Sequence, residues 1–402
     1  MTDSTNHKLL VLTSSFPVSS EAGDNFISTL CHKIASHFEI TVLAPHVKGA
    51  RFKETINNLN IIRYRVSPFG NLGLTQKSGI PSNLKRSPWL ILLTPCLIYN
   101  QVMALKRSCR ENGVGFVQAH WLIPSGFSAA MYKYLFASHV RLLITVHGSD
   151  IYKFNIFPFN LIKKFTLNQA DAVTTVSQDL KDKVIAYGYK KPISVIPMGV
   201  DTDLFTPEKF DPNLASIFTK PILLFVGTVV KSKGIFILVK SLPEILKHYP
   251  TATLLVIGDG YDREEAEIYA KLLHVENSIK FLGRIRNDEL PRYQATGNLL
   301  VLPSLSEGFP VVVAEALSSG NICVTSDLPV FDDLARQGEF LVTSKSKDSK
   351  DLAQKIVEVL GLPQNELEQI RTSARKYAQE YLSWDKTVSD YLKLINENIN
   401  NH

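Results

Sequence analysis

The chain has 402 residues, which at roughly 150 residues per domain provides for two or three domains and excludes one small binding module. Its composition, 45% hydrophobic and 20% charged with 21 Gly and 20 Pro spread along it, excludes a disordered or fibrous chain. A formal charge of +6, from 44 Lys and Arg against 38 Asp and Glu, is too dilute for a nucleic-acid protein and suits an anionic small molecule or an acidic membrane surface.

Residues 1–6 are polar and lack the apolar stretch of a signal peptide. Short apolar runs at 8–13, 40–44, 60–65, 114–119, 141–146, 172–176 and 193–197 read as strands, and 25–37, 90–110, 125–137 and 178–187 have helical length and spacing. This alternation predicts βαβ units around a parallel sheet. The longest apolar run, 89–99, is about half of the roughly 20 residues a bilayer requires and is broken by Pro95, so no transmembrane anchor is expected. From Ile196 to Lys220 turn residues dominate, as in a linker. The pattern then restarts, with strands at 221–227, 252–258, 278–283, 298–303 and 321–325 and helices at 235–248, 262–273, 288–296 and 310–319, followed by a largely helical tail from 348. The predicted fold class is α/β, two tandem Rossmann-like domains facing an interdomain cleft, with residues 1–200 as the first, 201–380 as the second and 381–402 as a closing helix. Cys31, Cys96, Cys109 and Cys323 show no paired spacing, which argues against a disulfide framework or zinc site and for a reducing, cytoplasmic setting.

The most informative stretch is 301–320, which leaves a strand, passes a Gly/Pro turn and enters a helix. Free amides and the helix dipole converge on such a turn, as an anionic ligand requires. Glu307 and Glu315 stand eight residues apart, about 12 Å along a helix, which exceeds the roughly 5–9.5 Å of glycosidase carboxylate pairs. Two carboxylates on two hydroxyl-bearing parts of one long ligand fit better; a first-turn acid and a helix-surface charge are the plain alternatives. Asp201-Thr-Asp203 is a DxD string placed in the linker, so no metal is expected there, and Gly258-Asp-Gly lacks the third glycine of a dinucleotide fingerprint.

Glu-Gly-Phe-Pro-(x)4-Glu-Ala-(x)3-Gly over 307–320 resembles the signature of retaining glycosyltransferases with the GT-B fold, family 4. Phe225 to Gly234 resembles that family's diphosphate loop, with Gly227 in the turn and Lys233 at the position of the donor-binding lysine. There is one departure: Thr228 stands where the family usually has Arg, so either Lys231 or Lys233 carries more of the neutralisation, or the donor is held differently, or activity is weaker. Ala119 to Gly126, with His120, and Thr145 to Asp150, with His147, resemble segments that face the donor sugar; Asp150 could equally cap a helix. The turn with Gly23 and Asp24 matches a loop near donor phosphate and acceptor, and Leu282-Gly-Arg284 lies where the family's backbone holds the base.

The resemblance implies sugar transfer from a nucleotide diphosphate sugar to a hydroxyl of a glycan or lipid-linked acceptor, with retention, no metal and no other cofactor. The first domain would bind acceptor and the second the nucleotide sugar. Lys233 and the Gly308, Phe309 and Val311 amides would hold the diphosphate, Pro310 would shape the turn, Glu307 would hold sugar hydroxyls and Glu315 the ribose. The closing helix would pack back on the first domain, with Trp384 as an anchor. The basic-flanked apolar stretch 84–110 is either a core helix or a peripheral contact with an anionic membrane. A nucleotide-sugar epimerase, a phosphorylase or a non-catalytic nucleotide-sugar-binding protein remain as alternatives.

Overall fold

The computed structural model describes residues 7–18, 26–75, 80–153 and 155–400. The chain divides into two compact units, Met1–Pro197 with Thr387–His402, and Met198–Lys386.

Unit 1 runs β1 (Lys8–Leu12), α1 (Phe26–Ile34), β2 (Glu39–Pro45), β3 (Lys53–Ile56), β4 (Leu59–Tyr64), α2 (Ile80–Arg86), α3 (Thr94–Asn112), β5 (Phe116–His120), α4 (Phe127–Phe136), β6 (Arg141–Val146), α5 (Ser149–Tyr152), α6 (Phe159–Gln169), β7 (Ala172–Thr175), α7 (Gln178–Ala186) and β8 (Ile193–Val195). Its sheet has the order β3-β4-β2-β1-β5-β6-β7-β8. The central strands are apolar without alternation, as Leu9, Leu10, Val11 and Leu12 show, because helices cover both faces of a parallel sheet. The antiparallel edge strand β3 is absent from the sequence reading. It turns into β4 at Asn57 and Asn58, whose φ of 46° and 66° are those of a two-residue hairpin.

Unit 2 runs α8 (Pro212–Ile217), β9 (Ile222–Val226), α9 (Ile235–His248), β10 (Thr253–Ile257), α10 (Arg263–Leu272), β11 (Ile279–Gly283), α11 (Leu290–Thr296), β12 (Leu299–Leu302), α12 (Val311–Ser318), β13 (Ile322–Ser326), α13 (Pro329–Ala335), β14 (Leu341–Ser344), α14 (Ser349–Leu360) and α15 (Gln364–Tyr381). Its strands are all parallel, in the order β11-β10-β9-β12-β13-β14. The order reverses direction between β9 and β12 here, and between β1 and β5 in unit 1. Helices on the two sides of such a point leave on opposite faces, which opens a crevice at the strands' carboxyl ends.

The last helix, α16 (Trp384–Asn400), belongs for most of its length to unit 1. Tyr391 and Ile395 are fully buried there, Tyr391 reaching Thr145 of β6 and Thr174 of β7. At its start Trp384 packs so tightly on Gly199 that a Cβ on that glycine would meet the indole at 2.6 Å. The stretch Pro88–Asn112 is helical throughout and long and apolar enough to cross a membrane by length and composition. It is nevertheless tied into unit 1: Leu97 and Leu105 are buried, and the buried Gln101 donates to Tyr64 Oη at 2.8 Å and accepts from Ser128 Oγ at 2.6 Å.

Candidate functional site

In unit 2 the connections after β9 and β12, on either side of the reversal, build one polar cluster. Gly227 follows β9, and the chain makes a single 3-10 turn, Lys231–Lys233, before Gly234 opens α9. Gly234 has φ 77°, and a Cβ there would lie 1.9 Å from Pro303 O, so only glycine lets this loop lie against the end of β12. That contact sets Lys233 over the Glu307 turn. Its ammonium donates to Glu307 Oε1 at 2.5 Å, and Ser304 Oγ donates to the same oxygen at 2.8 Å. Oε2 has no partner among the described residues. The Gly308 and Phe309 amides donate no hydrogen bond among the described residues, whereas Val311 N donates to Phe309 O at 3.1 Å. Val311 N thus closes the turn. Pro310 caps α12 and has no N–H.

One turn into α12 the partly buried Glu315 carboxyl has no side-chain partner among the described residues, and burial pushes it up to about 8. Lys231 is directed elsewhere. Its exposed ammonium donates to Glu265 at 2.9 Å and its amide to Asp262 Oδ2 at 2.6 Å. Of the two lysines left open by the sequence, Lys233 is therefore the one that joins the cluster. Thr228 and Arg284 are exposed, after β9 and β11 respectively. Gly23 and Asp24 lie outside the described residues.

In unit 1 two histidines stand at the carboxyl ends of the neighbouring strands β5 and β6, on one side of the β1–β5 reversal. His120 ends β5 and His147 follows β6, and parallel pairing of His120 with Thr145 brings the side chains together. His120 Nδ1 and His147 Nε2 share a hydrogen bond of 3.0 Å, and the rings stack at 5.2 Å. Phe26 meets both rings edge-on. Burial pushes His147 down to about 3, and burial with the neighbouring His147 takes His120 well below the ordinary histidine range, so both are neutral at physiological pH. His120 Nε2 and His147 Nδ1 are buried without hydrogen-bond partners among the described residues. Asp150 does more than cap a helix: Oδ2 accepts from Leu122 N at 2.7 Å and Oδ1 from Gly148 N at 2.8 Å, tying the post-β5 loop to the post-β6 loop. Behind it the fully buried Lys163 donates to Ile151 O at 3.0 Å and Lys153 O at 2.8 Å.

Two family descriptions match along the chain, Glycosyltransferase Family 4 over residues 24–204 and Glycosyl transferases group 1 over 208–377. The chain belongs to the family 4 GT-B glycosyltransferases. Among its glycosyltransferase relatives is the putative teichuronic acid biosynthesis glycosyltransferase TuaC of Bacillus subtilis, 29% identical over 60% of this chain and 60% of its own length. The N-acetyl-alpha-D-glucosaminyl L-malate synthase of Bacillus anthracis is 25% identical over 70% of this chain and 74% of its own. A GDP-mannose-dependent phosphatidylinositol monomannoside mannosyltransferase of Mycolicibacterium smegmatis is 23% identical over 78% of each. Among solved structures, sucrose-phosphate synthase of Thermosynechococcus elongatus has a TM-score of 0.80 at 18% identity, covering 98% of this chain and 100% of its own. Anabaena HepE in complex with UDP and glucose has 0.72 at 18%, covering 97% and 100%.

In this glycosyltransferase Lys233, Glu307, Gly308 and Phe309 form one cluster, and His120 and His147 another. Three participants escaped the sequence reading. Ser304 is an ordinary small residue until β12 places it three residues before Glu307. Phe26 looks like any helix apolar residue. Lys163 interrupts the apolar pattern of α6, and that breach was its only signal. Asp201, in the linker DxD string, accepts from Asp203 N and Leu204 N and so caps a turn.

Proposed function

We propose that this chain is a retaining, metal-independent glycosyltransferase that moves a hexose or related sugar from a nucleotide diphosphate sugar to a hydroxyl of a glycan or lipid-linked acceptor, in polysaccharide or glycoconjugate synthesis. The observation that carries the reading is the Lys233–Glu307 pair beside the unused Gly308 and Phe309 amides, at the point where the strand order of unit 2 reverses. A diphosphate brings the anionic oxygens that these donors lack. On binding, it takes over the Lys233 ammonium and the amides, and Glu307 turns to sugar hydroxyls. The bond from the anomeric carbon to the diphosphate then breaks. Its electron pair leaves on a phosphate oxygen, where preorganised donors stabilise the charge. The acceptor oxygen attacks from the same face and its proton passes to the departing phosphate. Glu315 holds the ribose, and the neutral histidines of unit 1 are assigned to sugar and acceptor recognition.

The acceptor side is read as touching an anionic bilayer at the cytoplasmic face. The connections at the carboxyl end of the unit 1 sheet expose Phe69, Trp89, Leu92, Ile156 and Phe157 by 80, 53, 74, 65 and 79%. Between Lys85 and Lys164 there are ten Lys and Arg against two acids, Glu111 and Asp150. Exposed apolar side chains with the exposed cations Lys85, Arg86 and Lys153 near them in the chain match the interfacial region of an acidic membrane.

The test is incubation with a panel of UDP- and GDP-sugars in excess chelator, with and without cell lipid extract. Acceptor-dependent nucleotide release and a product of unchanged anomeric configuration, by NMR, are expected. Interconversion of the sugar without nucleotide release would instead identify an epimerase. Nucleotide binding without turnover on any acceptor would identify a binding protein.

A further inference from the structure

Unit 2 has a cavity of about 970 Å³ at the end of its sheet opposite the donor loops. Pro221, Asn298 and Asn321 line it, each immediately before the first residue of β9, β12 and β13. The donor cluster follows the last residues of β9 and β12, about 16 Å away along five-residue strands. The two sites are thus at opposite ends of one parallel sheet.

The charge at this cavity is unbalanced. Arg371 and Arg375, one turn apart on α15, line it together with Lys220. Arg375 donates to Thr202 O, Phe205 O and Ser318 O at 2.8 to 2.9 Å, all carbonyls. The Arg371 guanidinium and the Lys220 ammonium make no hydrogen bond or ion pair among the described residues, although the Lys220 carbonyl accepts from Thr251 Oγ1 at 2.7 Å. Glu368, the one acid in the lining, already accepts from Gln364 Nε2 at 3.0 Å. Partial burial pulls the Arg371 guanidinium below its ordinary range, against the smaller opposing pull of the Glu368 carboxylate. The neutral groups show the same shortfall. Gln294, fully buried in the cavity wall, has no partner for either side-chain amide atom among the described residues, and neither has Ser319 Oγ. Buried polar groups are ordinarily satisfied, and a cluster of exceptions around one cavity points to a missing partner.

We propose that this cavity binds a phosphate-bearing metabolite of sugar-phosphate size, its phosphate on Arg371 and Lys220, as a second ligand separate from the donor. A guanidinium fork matches two phosphate oxygens, and the volume lies at the upper end of small-molecule sites. The source of the phosphate, free or esterified, is a matter for the binding comparison.

Calorimetric titration of the full chain with inorganic phosphate and with ribose 5-phosphate tests this, in the wild type, Arg371→Gln, Lys220→Ala and Lys233→Ala, the last removing phosphate contacts at the donor loop. Binding to the wild type and to Lys233→Ala, weakened at least tenfold in Arg371→Gln and severalfold in Lys220→Ala, is expected. Tighter binding of the ester assigns a sugar phosphate, and equal binding assigns free phosphate. No binding at millimolar ligand, or binding lost in Lys233→Ala and kept in Arg371→Gln, overturns the proposal. Lys220 is exposed and its replacement does not threaten the fold. If Arg371→Gln fails to fold, tungstate soaked into wild-type crystals decides: an anomalous peak at the Arg371 guanidinium supports the site, and none there rejects it.

Discussion

The Lys233 ammonium and the Glu307 carboxylate meet at 2.5 Å although 74 residues separate them in the chain. Each neutralises the other, and under the proposed function donor binding exchanges one charge partner for another. Lys233→Ala should lower both nucleotide affinity and kcat/KM at least tenfold, about 1.4 kcal/mol of transition-state stabilisation. Glu307→Gln frees the lysine for the diphosphate and should keep or tighten nucleotide binding while transfer falls at least tenfold. Calorimetry with the nucleotide diphosphate and steady-state kinetics separate the two; a parallel loss of binding in both variants would show that Glu307 acts only as a prop for the loop.

Glu315 gives a pH signature. Its carboxyl is pushed up to about 8 in the folded chain, so between the ordinary carboxyl value of 4.5 and that point the folded state holds a proton that the unfolded state has lost. Stability from this group is full below 4.5 and falls as pH rises toward 8. Thermal melts across this range should show that decline in the wild type and a flatter profile in Glu315→Gln. A nucleotide whose ribose hydroxyls donate to the carboxylate should also release a proton on binding, read as a buffer-dependent enthalpy that the variant lacks.

The histidine pair works in the other direction. With His147 pushed down to about 3, the folded state binds fewer protons than the unfolded one between 3 and 6.5. Its stability contribution is present above 6.5 and is lost as pH falls toward 3. His147→Asn should reduce acid sensitivity in that window, and a proton-detected NMR titration should show both rings neutral at pH 6. Imidazolium signals at that pH would contradict the burial argument. His120→Asn should lower transfer at least tenfold with nucleotide binding unchanged.

Asp150 links two loops that meet nowhere else in sequence. Asp150→Ala leaves the Leu122 and Gly148 amides without their acceptor and should destabilise unit 1 by about 2–4 kcal/mol. Amide hydrogen exchange should quicken at residues 120–126 and 148–152 before the rest of the sheet. Uniform exchange across unit 1 would mean that the loops are held by packing instead.

The apolar rim of unit 1 predicts flotation with anionic vesicles and not with neutral ones. Trp89→Ser with Leu92→Ser, both exposed, should abolish flotation while leaving the melting temperature within a degree or two. Equal recovery with neutral vesicles, or none with either, removes the membrane contact.

The strands of both sheets that are buried on both faces were legible because continuous apolar runs between turn residues have few other readings, as in Leu9 to Leu12 and Leu299 to Leu302. The edges were not. The polar Lys53-Glu-Thr-Ile is half exposed and has a single neighbour strand, so its pairing is fixed by the Asn57-Asn58 turn more than by its own side chains. The site divided in the same way. Glu307 and Lys233 were visible because a strand, a turn and a helix start lie together in sequence. Ser304, Phe26 and the choice between Lys231 and Lys233 depended on which neighbour each meets across the fold. Asp150 was legible as a helix-start acid, and its bond to Leu122, 28 residues away, was not.

Gly258 and Gly260 press so closely on the loop after β9 that a Cβ on either would lie 1.9 or 2.1 Å from the carbonyl oxygen of Gly227 or Val229. The backbone on both sides of Thr228 is clamped, yet Thr228 itself is exposed. Position 228 is thereby uncoupled from folding: a threonine, an arginine or a shorter residue can stand there without moving its neighbours. Under the proposed function, a longer cation at 228 would add to the grip of Lys233 on the diphosphate without disturbing the loop that carries both.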